Sequence, residues 1–224
     1  MNHIGLPINY RSLPLYVQYA EKIALMTSLL PYLDNAKLCL DLASGWGRYA
    51  TIISKYCEVI CVDRSVEMLM EAKRRNVHAL LVVADAHYLP FRNKVFDYVY
   101  CVRALKYFDN PFKAIKEIIR VAKKGVIIFD ILIGPSLKSC KKIIKRNPYN
   151  WWILRSLKIA QHLPRMLKSL GCKSISMRGL LSPVIPMKIL KSFTLIKLAY
   201  LIDLTLLKLL PIQFARAYVC KAEV

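Results

Sequence analysis

Three aspartates stand at or near the ends of apolar runs, where their carboxylates could bind a polar ligand. Asp41 lies in the run LCLDL, Asp63 closes CEVICVD 22 residues later, and Asp85 follows a third run that begins at Val77. A carboxylate about 20 residues into a βαβ unit accepts hydrogen bonds from the hydroxyl pair of a ribose. The position of Asp63 therefore predicts a ligand that contains a ribose, with capping of the next helix as the structural alternative.

A small turn with two glycines follows Asp41. The turn is ASGWG, residues 43–47, and residues 48–55 have the pattern of a short helix. Glycine lets the backbone approach a ligand where a Cβ atom would collide, and a helix start presents unpaired N–H groups. Many nucleotide-binding folds share this unit, so the turn alone does not choose among nucleotides.

Apolar runs alternate with helical patterns from residue 37 to residue 131. Strands are predicted at 37–42, 57–62, 77–83, 96–102 and 125–131, and helices at 14–33, 48–55, 65–75 and 111–122. This alternation predicts a parallel sheet with helices on both faces and right-handed crossovers. Ligands of such sheets bind beyond the carboxyl ends of the strands. One crevice should therefore collect Asp41, Asp63, Asp85 and Cys101.

The composition changes beyond residue 131. Residues 131–202 contain no Asp or Glu but carry fourteen Lys and Arg, including the cluster KSCKKIIKR at 138–146. A helix is predicted to end near Leu170, followed by a strand at 172–177, an apolar helical pair at 187–210 and a final strand at 214–221. We expect this part of the chain to be strongly basic and mainly helical.

Length and composition restrict the class of protein. The 224 residues suit one domain, and a hydrophobic content of 56% excludes a largely disordered chain. The formal charge of +21 favours an anionic partner. Seven cysteines without a CxxC pair predict reduced, buried thiols, no metal site and a cytoplasmic protein. Residues 1–14 have no apolar core typical of a signal peptide, and charges interrupt the most apolar segment, 193–212, so no spanning helix is predicted.

Four motifs occur in the order in which one family carries them. They are LDLASGWGR at 40–48, CVDRSVEMLMEAK at 61–73, ADAHYLPFRNKVFDYVYC at 84–101 and KEIIRVAKKGVIIFD at 116–130. In these motifs the chain resembles class I S-adenosylmethionine-dependent methyltransferases of the small-molecule type, which include ubiquinone and menaquinone biosynthesis methyltransferases. The resemblance covers residues 19–131 well and continues more loosely through SLGCKSISMRG and the last strand.

The resemblance implies a Rossmann-like α/β fold. Its sheet would have seven strands, mostly parallel, with helices on both faces, an antiparallel last strand and a helical insertion before that strand. We expect a single methyltransferase domain over 1–224. Its parts would be an N-terminal helical segment (1–36), a cofactor-binding core (37–131), basic substrate-side helical elements (132–212) and the final strand (213–224).

The resemblance also implies how S-adenosylmethionine would be bound. Asp41 would lie by the methionine end, Asp63 would accept from the ribose hydroxyls, and Asp85 would accept from the adenine amino group. The N–H of Ala86 would donate to an adenine ring nitrogen, and the carbonyl of Cys101 would accept from the ammonium. These assignments make the three aspartates the centre of the expected site.

The turn between strand and helix completes the expected cofactor site. Gly45 and Gly47 would let the backbone lie against the methionine part of the cofactor. Ala43 stands where the family carries its first glycine, and alanine is small enough to be compatible with binding. Trp46 is bulkier than usual for this turn and is expected to wall the pocket.

The sequence assigns no catalytic residue. Methyl transfer depends mainly on positioning, and a general base is needed only when the acceptor is a poor nucleophile at neutral pH. His87 is a candidate base, with a packed or surface histidine as the commoner alternative. Tyr107 is expected to be an aromatic wall, and Arg103 either grips an anionic substrate or is a solvated loop charge.

The acceptor is expected to be a small molecule or a lipid or quinone-like compound. The basic region leaves three alternatives open. Residues 138–168, with Tyr149, Trp151 and Trp152, could contact an anionic membrane peripherally. The same cations and aromatics could bind RNA, although no RNA-binding module is recognisable. Alternatively, the region is a solvated lid over a small-molecule pocket.

Two other functional classes remain open from the sequence. The domain could bind the cofactor without transferring a methyl group, acting as a regulatory module. It could also be a nicotinamide-dependent dehydrogenase, because the pattern Gly45, Gly47, Ala50 is tolerated in dinucleotide-binding turns. In that alternative Asp85 and the Phe96-Asp97 pair would have no role, so the methyltransferase interpretation is favoured.

Overall fold

The computed structural model describes residues 15–131, 151–180 and 217–224, together with residues 194, 195, 198, 201 and 202. Its elements are, in chain order, α1 (Leu15–Leu33), β1 (Leu38–Leu42), α2 (Ala50–Ile53), β2 (Glu58–Asp63), α3 (Val66–Arg74), β3 (Leu80–Val83), β4 (Phe96–Val102), a 3₁₀ turn (Leu105–Tyr107), α4 (Pro111–Val121), β5 (Ala122–Ile131), α5 (Trp151–Ser169), β6 (Ile175–Leu180) and β7 (Ala217–Glu223). The basic cluster at 138–146 and most of the helical pair predicted at 187–210 lie outside the described residues, as do the side chains of Trp151 and Trp152.

The seven strands form one sheet in the order β3-β2-β1-β4-β5-β7-β6. The pairs from β3 through to β5 are parallel, whereas β7 runs antiparallel to both β5 and β6. The predicted seven-stranded, mostly parallel sheet with an antiparallel last strand is thus confirmed. The strand order reverses between β1 and β4, and ligands of open α/β sheets bind at such a switch point.

Hydrophobic cores lie on both faces of the sheet, because strand side chains alternate between the faces. On β4, Tyr98 and Tyr100 face α1, and Val99 and Cys101 face α4 and α5. The α1 side contains Leu25, Leu29 and Leu33, and the opposite side contains Ile115, Ile118, Leu163 and Leu167. All of these helix residues are essentially inaccessible to solvent, so both faces of the central strands are covered.

The predicted helices and strands form with shifted ends. The helix predicted at 48–55 is only the short α2, since residues 45–49 form turns that precede it. The strand predicted at 77–83 begins at Leu80, because Val77 still donates its N–H to the carbonyl of Ala72 at the end of α3. Pro31, predicted to close α1, lies inside its last turn, where it removes one i→i−4 hydrogen bond two residues before the helix ends.

Asp97 links the amino ends of β1 and β4 by hydrogen bonds. Its Oδ2 accepts from the N–H groups of Lys37 (2.7 Å) and Leu38 (3.3 Å), and its Oδ1 lies 3.1 Å from Nζ of Lys124. These contacts are at the edge of the sheet opposite to the turn at residues 43–47. The Phe96-Asp97 pair, which served to argue against a dehydrogenase, thus has a structural role that any parallel sheet could use.

Within the described residues, the helices are too short or too polar to cross a membrane. The same part of the chain contains no cluster of His, Cys, Asp and Glu that could hold a metal ion. Its six cysteines are free thiols, and five of them are buried.

Candidate functional site

The sheet brings the predicted acids to one edge. Asp41 on β1 pairs in register with Cys61 on β2, so Asp63 lies two residues further along, at the end of β2. Cys101 pairs with Leu42 at the end of β4. Asp85 comes two residues after β3, whose last residue pairs with Asp63. The four residues therefore stand at the carboxyl ends of four adjacent strands, as the spacing predicted.

The turn after β1 takes a left-handed backbone conformation at three positions. The φ angles are +55° at Ala43, +56° at Gly45 and +74° at Gly47. A Cβ atom on Gly47 would lie 2.9 Å from Cγ1 of Val77, so glycine is required there by packing within the protein. A Cβ atom on Gly45 would meet only Met68 Sδ, at 3.9 Å. Gly45, rather than Gly47, is therefore the glycine with open space beside it.

Ala43 occupies a conformation that favours glycine. A left-handed φ destabilises the folded state by about 1–2 kcal/mol for a residue with a Cβ atom. Glycine avoids this cost, but it gives the unfolded chain more conformational freedom, which lowers the free energy of unfolding by about 0.4–1 kcal/mol. Ala43→Gly is therefore expected to raise the free energy of unfolding by roughly 0.5–1 kcal/mol. Urea denaturation of the two proteins measures the difference. Gly45→Ala is the matched comparison and is expected to be destabilising; a destabilised Ala43→Gly variant would contradict this account.

Asp63 is held rigidly by backbone donors. Its Oδ2 accepts from the N–H of Gly45 at 2.8 Å, and its Oδ1 accepts from the N–H of Ser65 at 2.9 Å. The cap of α3 is Ser65, whose Oγ accepts from the N–H of Met68, so Asp63 is not the capping residue. A carboxylate oxygen can accept more than one hydrogen bond. Asp63 is thus fixed between turn and helix with acceptor capacity remaining.

Asp85 and His87 form a local pair. Oδ1 of Asp85 accepts from the backbone N–H of His87 at 2.8 Å and lies 2.5 Å from its Nδ1, and the backbone hydrogen bond lowers the pKa of Asp85. Nε2 of His87 accepts from the N–H of Asn110 at 3.1 Å. Both ring nitrogens are therefore engaged, which favours the packed histidine over a general base. The Asp85 side chain is 56% exposed and accessible to a ligand.

A cavity of about 190 Å³ opens beside the turn. Of the predicted cofactor residues, Asp41, Ala43 and Gly45 line it; Gly47, Asp63, Asp85, Ala86 and Cys101 do not. Trp46, Arg103 and Tyr107 also line this cavity, so the walls expected at Trp46 and Tyr107 are present. Burial raises the pKa of Tyr107 to about 12, so its hydroxyl remains protonated at neutral pH.

Asp41 is a buried carboxylate facing this cavity. It is 2% exposed, and its Oδ2 has no hydrogen-bond partner within the described part of the chain. Burial raises the pKa of Asp41 to about 8. A buried acceptor without a partner is costly and favours a ligand that carries a donor or a positive charge. The sulfonium and ammonium of S-adenosylmethionine meet this need, so the residues present fit that cofactor.

Binding of a cationic ligand beside Asp41 should release a proton. At pH 7 the free protein holds Asp41 mainly protonated, whereas a nearby ammonium favours the carboxylate. We expect uptake of S-adenosylhomocysteine at pH 7 to release up to about one proton, and Asp41→Asn to release none. Calorimetry in two buffers of different ionisation enthalpy measures the number of protons released on binding.

The same shift predicts how stability changes with pH. Because the folded pKa of Asp41 lies above its ordinary value of 3.8, the folded state binds the proton more tightly than the unfolded state does. Its contribution to stability is fully present below pH 3.8 and is lost as the pH rises towards about 8. Asp41→Asn should remove this dependence, and equal pH profiles for the two proteins would contradict it.

Glu21 is a residue of the site that sequence reasoning missed. It lies on α1, is 0% exposed, and accepts hydrogen bonds from Arg48 and from the Tyr49 hydroxyl (2.6 Å). Its Oε2 lies 3.7 Å from Nη1 of Arg103. The available signal was its spacing. Glu21 lies four residues before Leu25, the first leucine of the buried face of α1, so the two residues share one face of the helix.

The central part of the chain matches a known protein family. Residues 40–129 match the family model described as a methyltransferase domain. The chain carries a class I S-adenosylmethionine-dependent methyltransferase domain. The matched residues begin in β1 and end in β5, so they contain the turn, both acids at 41 and 63, and the strands that present them.

Curated relatives match this methyltransferase domain over part of their length. A demethylmenaquinone methyltransferase from Thermotoga maritima is 32% identical over 108 residues, covering 46% of this chain and 47% of the relative. A malonyl-[acyl-carrier protein] O-methyltransferase from Marinomonas is 32% identical over 140 residues, covering 57% and 51%. The chain thus spans about half the length of these two relatives.

A solved structure shares the fold. It is a S-adenosylmethionine-dependent methyltransferase of Thermotoga maritima, described as a possible histamine N-methyltransferase. It superposes with a TM-score of 0.64 at 16% identity, covering 93% of this chain and 89% of that one. At this identity the similarity extends to the fold of the methyltransferase domain and not to its acceptor.

Proposed function

We propose that this protein transfers the methyl group of S-adenosylmethionine to a small-molecule acceptor. The observation that carries the proposal is the fixed carboxylate of Asp63, which accepts from Gly45 and Ser65 beside a turn whose open side is at Gly45. The unpaired Oδ2 of Asp41, one strand away, supplies the second anchor. When bound, the cofactor supplies an electrophilic methyl group, and the chain holds it in place.

The cofactor residues that we propose keep the roles expected from the sequence, with one change. Asp41 offsets positive charge at the methionine end, Asp63 accepts from the ribose, and Asp85 with the Ala86 N–H receives the adenine. The carbonyl of Cys101 accepts from the ammonium. Among the turn residues, Gly45 approaches the cofactor, while Ala43 and Gly47 shape the turn, because Gly47 is already packed against Val77.

For the acceptor we propose a small molecule, with a lipid or quinone-like compound as the finer assignment. Support comes from exposed apolar residues in the substrate-side region: Leu195, Leu198 and Leu201 are 46%, 55% and 61% exposed at a spacing of three. Together with a formal charge of +21, they favour peripheral contact of a cytoplasmic protein with an anionic membrane. The chain charge equally favours RNA, which is the second candidate.

Ligand binding and labelled methyl transfer test the function. S-adenosylhomocysteine should raise the melting temperature and NAD should not, because the alternative dehydrogenase would bind NAD. Radiolabelled methyl transfer should then label a component of the small-molecule or lipid fraction of cells. Label in RNA with salt-sensitive tRNA binding would favour the RNA alternative. Binding of S-adenosylhomocysteine without transfer to any fraction would favour a non-catalytic module.

A further inference from the structure

The cavity beside the turn carries an excess of positive charge. Arg48 and Arg103 both line it, whereas Asp41 is the one carboxylate among its described lining residues. Glu21, buried behind them, pairs with Arg48 and lies 3.7 Å from Arg103. Two guanidinium groups and one carboxyl group therefore line this cavity.

Arg103 is held in an unusual conformation at the end of β4. Its φ is +60°, its N–H donates to the carbonyl of Phe129 at 2.7 Å, and its own carbonyl accepts from Nζ of Lys106 at 3.0 Å. A residue with a side chain keeps such a backbone only where its surroundings enforce it, and such residues cluster at ligand sites.

The side chain of Arg103 has an unused donor. It is 14% exposed, and its Nε has no hydrogen-bond partner within the described residues. A buried guanidinium N–H without an acceptor is unfavourable until a ligand provides one. Arg48 donates a hydrogen bond directly to Glu21, whereas Arg103 only lies 3.7 Å from the same carboxylate, so Arg103 is the less engaged of the two arginines and the one that we expect to bind an incoming anion.

We propose that the small-molecule acceptor is an organic acid, which includes acidic lipids but not a quinone-like compound without a carboxylate, and that Arg103 holds its carboxylate in this cavity. The proposal rests on the proposed function and names the substrate class of the same site. A guanidinium–carboxylate pair is a charge-assisted hydrogen bond, stronger than a neutral one and selective against amides and esters. Trp46 and Tyr107 form the aromatic walls against which the carbon skeleton of the acid packs.

An acid acceptor also accounts for the engaged ring of His87. A carboxylate is ionised at neutral pH, so its methylation needs no base. Arg103 holds one carboxylate oxygen, and a lone pair of the other forms the new O–CH₃ bond. The S–CH₃ bond breaks and its electron pair stays on sulfur, and no proton moves. An anion and a sulfonium thus become a neutral methyl ester and a neutral thioether.

Benzoate and its uncharged analogue benzamide test the inference in protein saturated with S-adenosylhomocysteine. By calorimetry, the unaltered protein is expected to bind benzoate at least about 10-fold more tightly than benzamide, since one charged hydrogen bond is worth that factor. Arg103→Met should abolish the preference, and Arg103→Lys should retain part of it. Arg92→Met, at an exposed arginine outside the cavity lining, should keep it in full.

The affinity for S-adenosylhomocysteine separates the possible failures. It should be unchanged in Arg103→Met, which also demonstrates that the variant is folded. Equal binding of benzoate and benzamide by the unaltered protein would overturn the inference. So would loss of S-adenosylhomocysteine binding in Arg103→Met with recovery in Arg103→Lys, because Arg103 would then serve the carboxylate of the cofactor. An unaltered protein that does not bind S-adenosylhomocysteine overturns the proposed function itself.

Discussion

Asp63→Asn is expected to weaken S-adenosylhomocysteine binding by roughly 100-fold or more. Hydrogen bonds to a charged group are worth about 1.5–3 kcal/mol each, and the proposed ribose contact uses two of them. In asparagine an NH₂ donor also replaces one of the two oxygens, so in the same orientation it would face the N–H of either Gly45 or Ser65 without accepting from it. The turn would then lose its fixed position relative to β2.

Isothermal calorimetry of the purified variant measures this effect. Asp34→Asn is the matched control, since Asp34 is an exposed acid just after α1, and its affinity should equal that of the unaltered protein. Far-UV circular dichroism checks that Asp63→Asn is folded. An affinity within threefold of the unaltered value in a folded variant would refute the ribose assignment of Asp63.

The second large effect concerns a buried ion pair under the rim of the cavity. Nζ of Lys106, 1% exposed, donates to Oδ1 of Asp130, which is 0% exposed. Removing one partner leaves an uncompensated buried charge and costs about 3–5 kcal/mol. Lys106→Met is therefore expected to lower the melting temperature by roughly 10 °C in a chain of this size. Urea denaturation gives the loss in free energy directly.

A double variant distinguishes charge burial from lost packing. Lys106→Met combined with Asp130→Leu removes both charges, and such replacements are often neutral. We expect it to recover most of the loss of the single variant. Lys123→Met, at an exposed lysine on β5, should change stability by less than about 0.5 kcal/mol. A single variant as stable as the control would show that the pair is dispensable.

The edge of the sheet at which the site forms was predictable. Apolar runs that end in Asp41 and Asp63 identify strands buried on both faces, and parallel strands in a doubly wound sheet present their carboxyl ends together. Predicting this edge needed only the order of the apolar runs along the chain, because short connections between parallel strands allow few sheet topologies. The antiparallel last strand was implied by the family resemblance and is confirmed by the pairing of β7 with β5.

Residue roles that depend on distant partners were not predictable in the same way. Gly47 has the same place in the turn pattern as Gly45, yet a Cβ atom there would collide with Val77, 30 residues away. His87 was a candidate base from the sequence, but the N–H of Asn110 donates to its Nε2. In both cases the neighbour comes from another loop, so no local pattern indicates it.

By itself, the sequence determined the alternation of strands and helices, the acids at the strand ends and the family they indicate, because these depend on periodicity and spacing along the chain. The tertiary structure decided which charges meet in the cavity. Glu21 of α1 reaches Arg48 and Arg103 across the face of the sheet, and Lys106 meets Asp130 beneath it. Such pairs form only when elements far apart in sequence pack together, because electrostatic attraction depends on distance in space and on burial.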